Sequence, residues 1–162
     1  MNCIPATACR LLAATALGLG LAGLGAPSAW AAPVTFNGNG SEVTDSSTGL
    51  VWRRCAEGMV WSAGNCTGSA TLFTHEQALQ HAKTQAGWRL PGIKELASIV
   101  DRSRVGPAID PVVFPATGNF FWSSSPHVGN PASAWGVYFS YGGVDHYFRS
   151  GVFSVRLVRA GP

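Results

Sequence analysis

Two amphipathic segments stand back to back between residues 74 and 100, with strand-like runs before and after them. A parallel βαβ series needs a helix between successive strands, so this order excludes that class and assigns α+β. The first segment opens at Thr74, an N-cap acceptor, with Glu76 in the first turn and Gln77 placed for a capping box. Ala78, Leu79, Ala82 and Ala86 make its apolar face, and Gly87 is the expected stop. The second starts after Pro91, and Ile93, Leu96, Ala97 and Val100 fall at i, i+3, i+4 and i+7 on one stripe.

The flanks read as short strands separated by turn chemistry. Asn37-Gly38, Asn39-Gly40 and Ser46-Ser47-Thr48-Gly49 punctuate the run before Leu50-Val51-Trp52. Residues 101–118 carry Pro107, Pro111 and Pro115 and form a connector without a central strand. Strand signals resume at Phe120-Phe121-Trp122, and Trp135, Val137 and Phe139 alternate before a Gly142-Gly143 hairpin turn. Val152 to Val158 reads as a closing strand, with Arg156 and Arg159 as charges on the sheet surface.

Residues 1–31 read as a secretory signal peptide: Arg10, an apolar Leu11–Gly25 run, then Ala29-Trp30-Ala31 as the cleavage site. The run is shorter than the roughly 20 residues that span a bilayer, so residues 32–162 are expected as one exported domain, periplasmic or secreted, without stable membrane insertion. Cys3 and Cys9 leave with the leader. Cys55 and Cys66, with Gly58 and Gly64 between them, then read as a disulfide closing a short loop. Met59, Val60 and Trp61 in that loop are expected to fold back onto the body. The full chain carries a net charge of +3, and no basic run marks a nucleic-acid footprint.

The chain offers little for catalysis. Its eight acidic residues are spread out, and no His-Glu-x-x-His helix or Gly-x-Ser-x-Gly elbow occurs. No metal site, calcium included, and no cofactor is expected, since neither cysteine has a zinc-ligand partner at the required spacing and no carboxylate cluster is present.

Several motifs occur in order: Val43-Thr44-Asp45 with Thr48-Gly49-Leu50-Val51-Trp52, Trp88-Arg89-Leu90-Pro91 with Lys94-Glu95-Leu96, Ala108-Ile109-Asp110, Phe114-Pro115, Phe121-Trp122-Ser123-Ser124-Ser125, Ala134-Trp135 and Val155-Arg156-Leu157-Val158-Arg159. Together they resemble the Lcl C-terminal domain family, named for the C-terminal domain of the Legionella collagen-like adhesin. The resemblance implies a C-type-lectin-like fold with two helices packed on short antiparallel sheets. It also implies an adhesin-like role, since that adhesin binds sulfated polysaccharides and trimerises through a collagen-like region. No Gly-X-Y repeat occurs here. The motif residues Trp52, Trp88, Leu90, Pro91, Trp122 and Trp135 have structural readings as core and packing groups, and Arg89 with Glu95 as a partly buried pair.

A binding site is placed on the last hairpin. Tyr138, Tyr141, Asp145, His146, Tyr147 and Arg149 bring aromatics, hydroxyls and a guanidinium together around a tight turn, a composition like that of antibody loops. The expected function is non-catalytic binding of a surface glycan, a sulfated glycan or an extracellular or envelope protein, with arginines such as Arg102, Arg104 and Arg149 assisting. The alternatives are an envelope carbohydrate-active enzyme using Asp110 or Asp145, and a structural subunit of a secreted assembly.

Overall fold

The computed structural model describes residues 35–38 and 40–162; the expected signal peptide, with Cys3 and Cys9, lies outside them. The class is α+β. Strands β1 (Phe36–Asn37), β2 (Glu42–Asp45) and β3 (Leu50–Arg53) form an antiparallel sheet with the last strand, β9 (Val158–Ala160), in the order β1-β2-β3-β9. The turn between β2 and β3 is built by Asp45, whose carboxylate accepts from Ser47 N, Ser47 Oγ and Thr48 Oγ1, while Gly49 takes φ +70°. Burial pulls the Asp45 pKa upward, but these hydrogen bonds outweigh it and leave the group below its ordinary value.

Strands β4 (Val60–Ser62) and β5 (Asn65–Thr67) make a small hairpin bridged to the body by the Cys55–Cys66 disulfide. Of the loop residues expected to fold back, Met59 packs against the core and Trp61 is half-buried under the Arg54 guanidinium, 3.9 Å from the ring centre. Val60 instead points outward and is 65% exposed. It sits on a two-stranded sheet with no layer over that side.

Helix α1 (His75–Thr84) begins at the Thr74 capping box, and α2 (Ile93–Ser98) follows Pro91. α1 stops at Thr84, short of Gly87, and Ala86 is exposed. Thr84 Oγ1 turns back to the His81 carbonyl and the Gln85 N–H closes on the Ala82 carbonyl, which ends the helix before Ala86 can join it.

Strands β6 (Phe120–Pro126), β7 (Ser133–Tyr138) and β8 (Gly143–Phe148) form a three-stranded antiparallel sheet in that order. Because strand side chains alternate, the sheet divides the core. Phe121 and Val137 join Leu96 and Ile99 of the α2 segment on one face, together with Trp52, Phe114 and Phe139. Phe120, Trp122 and Ala134 meet Ala78 and Ala82 of α1 on the other.

The closing segment departs from the single strand its alternation predicts. Phe153 bridges Phe73, Ser154 pairs in parallel with Phe121, and regular pairing with β3 starts only at Val158. Arg156 is not on the surface: it is fully buried, its guanidinium donating to the carbonyls of Arg53 and Arg54 and to Thr117 Oγ1. The inward alternation of Val155 and Leu157 does not expose residue 156, because the segment is covered on both sides. Among the described residues no helix is long and apolar enough to cross a membrane.

Candidate functional site

The β7–β8 hairpin carries all three tyrosines of the chain. Its register pairs Tyr138 with Gly143, Gly136 with Asp145 and Ala134 with Tyr147, so these side chains share one face. Two glycines make that face possible. A side chain at Gly136 would collide with the Phe120 ring, its Cβ lying 2.4 Å from Cζ, and a Cβ at Gly143 would lie 2.2 Å from Cε2 of Tyr141. Phe120 therefore lies over Gly136 and packs edge-on against Tyr138 and Tyr147, 4.9 and 5.0 Å away. Tyr141 folds over Gly143 and stacks on Tyr138 at 5.2 Å.

The hydroxyls of Tyr138 and Tyr147 are hydrogen-bonded to each other. That bond, with burial adding to it, pushes the Tyr138 phenol up to about 12. Tyr138 is thus a neutral group across the physiological range. Beside it lies a hollow of about 280 Å³ lined by Leu72, Asn119, Phe120, Tyr138, Val152, Phe153 and Ser154. Phe153 closes its floor by packing on Phe120 and Tyr147.

The hairpin divides the residues that the sequence groups together. Tyr138, Tyr141, Asp145 and Tyr147 belong to the face just described. His146 lies on the opposite face, against Trp135 and His127, whose rings are 5.3 and 4.1 Å from it. Arg149 follows the strand, its Nε donating to the Ser133 carbonyl while its own carbonyl accepts from His75 N. His75 is buried, donates from Nε2 to the Ser123 carbonyl, and has its pKa held down by burial. Asp145 accepts from the backbone N–H of His146.

Leu72, Asn119, Phe120, Val152 and Phe153 complete the site and carry no sequence mark of it. Leu72 and Phe120 are brought to the hairpin by the Phe73–Phe153 bridge and the Trp122 N–H to Ser154 carbonyl bond, contacts between distant parts of the chain.

The motif residues have structural partners. Trp52 and Trp122 are fully buried, and Trp122 Nε1 donates to the Phe73 carbonyl. Leu90 and Pro91 are buried ahead of α2, and Arg89 grips Glu95 with two hydrogen bonds of 2.6 and 2.7 Å. Trp88 is half-buried between the guanidiniums of Arg53 and Arg159.

A second, larger hollow of about 580 Å³ lies beside the disulfide, with Glu42, Arg53, Glu57 and Trp61 in its wall. Its charges are matched internally: Arg53 and His81 both bind the buried Glu57 carboxylate, and Arg159 binds Glu42. Asp110 accepts from the N–H groups of Val112 and Val113, and Asp101 from Ser103 and Arg104. Among the described residues no three His, Cys, Asp or Glu side chains are arranged to hold a metal ion.

The model of the Lcl C-terminal domain family matches residues 41–159. No curated protein and no solved structure matches the chain.

Proposed function

The chain belongs to the Lcl C-terminal domain family, and on that premise we propose that it is an exported, non-catalytic binding module of C-type-lectin-like fold and adhesin-like role. Its ligand is a surface glycan or an extracellular or envelope protein, taken up by the tyrosine face of the β7–β8 hairpin. The disulfide fits an oxidising compartment.

One observation carries the assignment of the site. Of the ten large apolar side chains exposed among the described residues, four lie on the tyrosine face or at the hollow beside it, Leu72, Tyr141, Tyr147 and Val152, while Val144 and Phe148 of the same hairpin are on its opposite face. Such a concentration on a small domain favours an interaction surface, whereas single exposed apolar residues are ordinary. Tyrosine suits the role because its ring gives rigid contact area at low entropic cost and its hydroxyl gives direction.

The test is a glycan-array screen of the disulfide-intact protein with pull-down from the native envelope, run for the natural chain and for Tyr141→Ala and Tyr147→Ala. Both variants are expected to weaken retention of the captured ligand by about tenfold or more, in the range that loss of an interface aromatic produces; Tyr141→Ala, at the more exposed position, does so at little cost in melting temperature, whereas Tyr147→Ala also loses packing on Phe120 and Phe153 and melts lower. Retention equal to that of the natural chain would remove the hairpin as the site.

A further inference from the structure

The hollow beside Tyr138 does not end at the tyrosines. A second hollow, of about 220 Å³, lies between the connector and the start of β6, with Gly106, Pro107, Thr117 and Ser140 in its wall, and the two share Asn119. The connector is tied to the hairpin there by backbone bonds from Gly106 N to the Ser140 carbonyl and from Ala108 N to the Phe139 carbonyl. Asn119 thus stands between two adjacent hollows, one lined by Leu72, Val152 and Tyr138 and the other by Pro107.

We propose that the two hollows act as one groove across Asn119, which takes an uncharged saccharide chain in preference to a sulfated one; the proposal rests on the binding-module reading above and names its ligand class. The groove's chemistry is two-sided. Phe153, Tyr138 and Val152 offer apolar surface to the C–H faces of sugar rings. Asn119, Ser140 and Ser154 have side chains with no hydrogen-bond partner among the described residues, and an amide with two donors and an acceptor matches the vicinal hydroxyls of a sugar. A few directional polar groups set in apolar walls is the usual make-up of a specific ligand site.

Charge decides between neutral and sulfated ligands. Neither hollow has a charged side chain in its wall. The charge that shares the tyrosine face is Asp145, an anion with no ion pair among the described residues, and it repels sulfate. The arginines are committed elsewhere. Arg104 is paired with Asp101, Arg149 is bound to the Ser133 carbonyl, and Arg102 lines a different hollow together with Asp101 and Asp110. A sulfated chain in this groove would leave its anions without a cation.

The experiment uses an array that presents the same polysaccharide backbones with and without sulfate, read with the full disulfide-intact protein at about 0.15 M and about 1 M salt, where screening lengths are near 8 and 3 Å. Retention of unsulfated backbones, changed less than about twofold by salt, is expected. The retained glycan is then titrated against Asn119→Ala and Val152→Lys. Both positions are exposed, so the variants keep the fold, and thermal melting checks this; Leu72→Lys serves if either does not. Each substitution is expected to weaken binding about tenfold, the factor set by losing roughly 1.4 kcal/mol. Retention of sulfated backbones alone, with affinity falling in salt and rising in Val152→Lys, overturns the proposal and leaves the binding module standing. Neutral binding untouched by all three variants overturns it too, because the site is then elsewhere. Retention of no glycan overturns this inference and the glycan half of the reading it rests on.

Discussion

Arg156 holds a guanidinium in the interior with no carboxylate at ion-pair distance among the described residues. Its Nη1 donates to two successive carbonyls, Arg53 and Arg54, and its Nη2 to Thr117 Oγ1 at 3.0 Å. The plane lies over the Phe114 and Phe121 rings at 4.7 and 5.4 Å. Burial pushes its pKa down to about 9, so it still carries its charge at neutral pH. The side chain thereby ties the end of β3, the connector and the closing segment into one core. Only a planar fork with several donors fits this set of acceptors; an ammonium is a compact point charge that neither spans them nor stacks on two rings. Arg156→Lys is therefore expected to cost about 2 kcal/mol, the penalty for leaving buried acceptors unsatisfied. Urea unfolding checks it, and an unchanged midpoint would mean that charge alone suffices at this position. Reading Arg156 from sequence as a surface group follows the rule that charged residues are seldom fully buried. Its acceptors lie about a hundred positions away, at residues 53 and 54, and nothing local announces them.

At the level of elements, α2 is six residues long and is held by what surrounds it. Its cap residue, Gly92, has no side chain to offer. Glu95 supplies the missing function: it accepts from Gly92 N at 2.8 Å while Arg89 grips the same carboxylate, and Ser125 Oγ of β6 accepts from Ile93 N. The Arg89 hydrogen bonds lead in holding the Glu95 pKa below its ordinary 4.5. A carboxyl depressed in the folded state contributes stability above its unfolded pKa, and that contribution is lost as pH falls through the lowered folded value. Glu95→Gln is expected to cost about 1 kcal/mol at neutral pH, since the pair is half exposed and screened. It should also flatten the fall in melting temperature below pH 4.5; a variant that melts in parallel with the natural chain down the whole acid limb would assign that fall to other groups, Asp45 first among them. The Arg89–Glu95 pair and the Thr74 capping box were legible because each closes within about six residues. The closing segment was not. Its alternation is intact from Val152 to Val158, but which sheet each residue joins depends on Phe73, Phe121 and Trp52, and a periodicity carries no information about its partner.

Over the whole molecule the same division governs the candidate site. The tyrosines of the hairpin stand close in sequence and their grouping was readable, whereas the face each occupies is set by register and the groove walls by tertiary contacts with residues 72, 119 and 153. His146 and Tyr147 are neighbours in the chain and lie on opposite faces for that reason. The disulfide is the element of long-range order that the sequence did disclose, because reading Cys3 and Cys9 as part of a leader leaves Cys55 and Cys66 as a single pairing. Cys55 and Cys66 are both buried and separated by 11 positions, with β4 and β5 between them. Closing a loop of that length removes unfolded-state entropy equivalent to about 3 kcal/mol. The hairpin it anchors adds little of its own, since two strands alone are marginal in water. Reduction, or the double substitution Cys55→Ser with Cys66→Ser, is thus expected to lower the melting midpoint by roughly 10 °C for a chain of this size, while β6 to β8 keep their pairing below that midpoint. Calorimetry of the oxidised and reduced protein measures the shift. A change below about 2 °C would mean that the unfolded reduced chain already holds residues 55 and 66 together, and the entropic account of this loop would have to be given up.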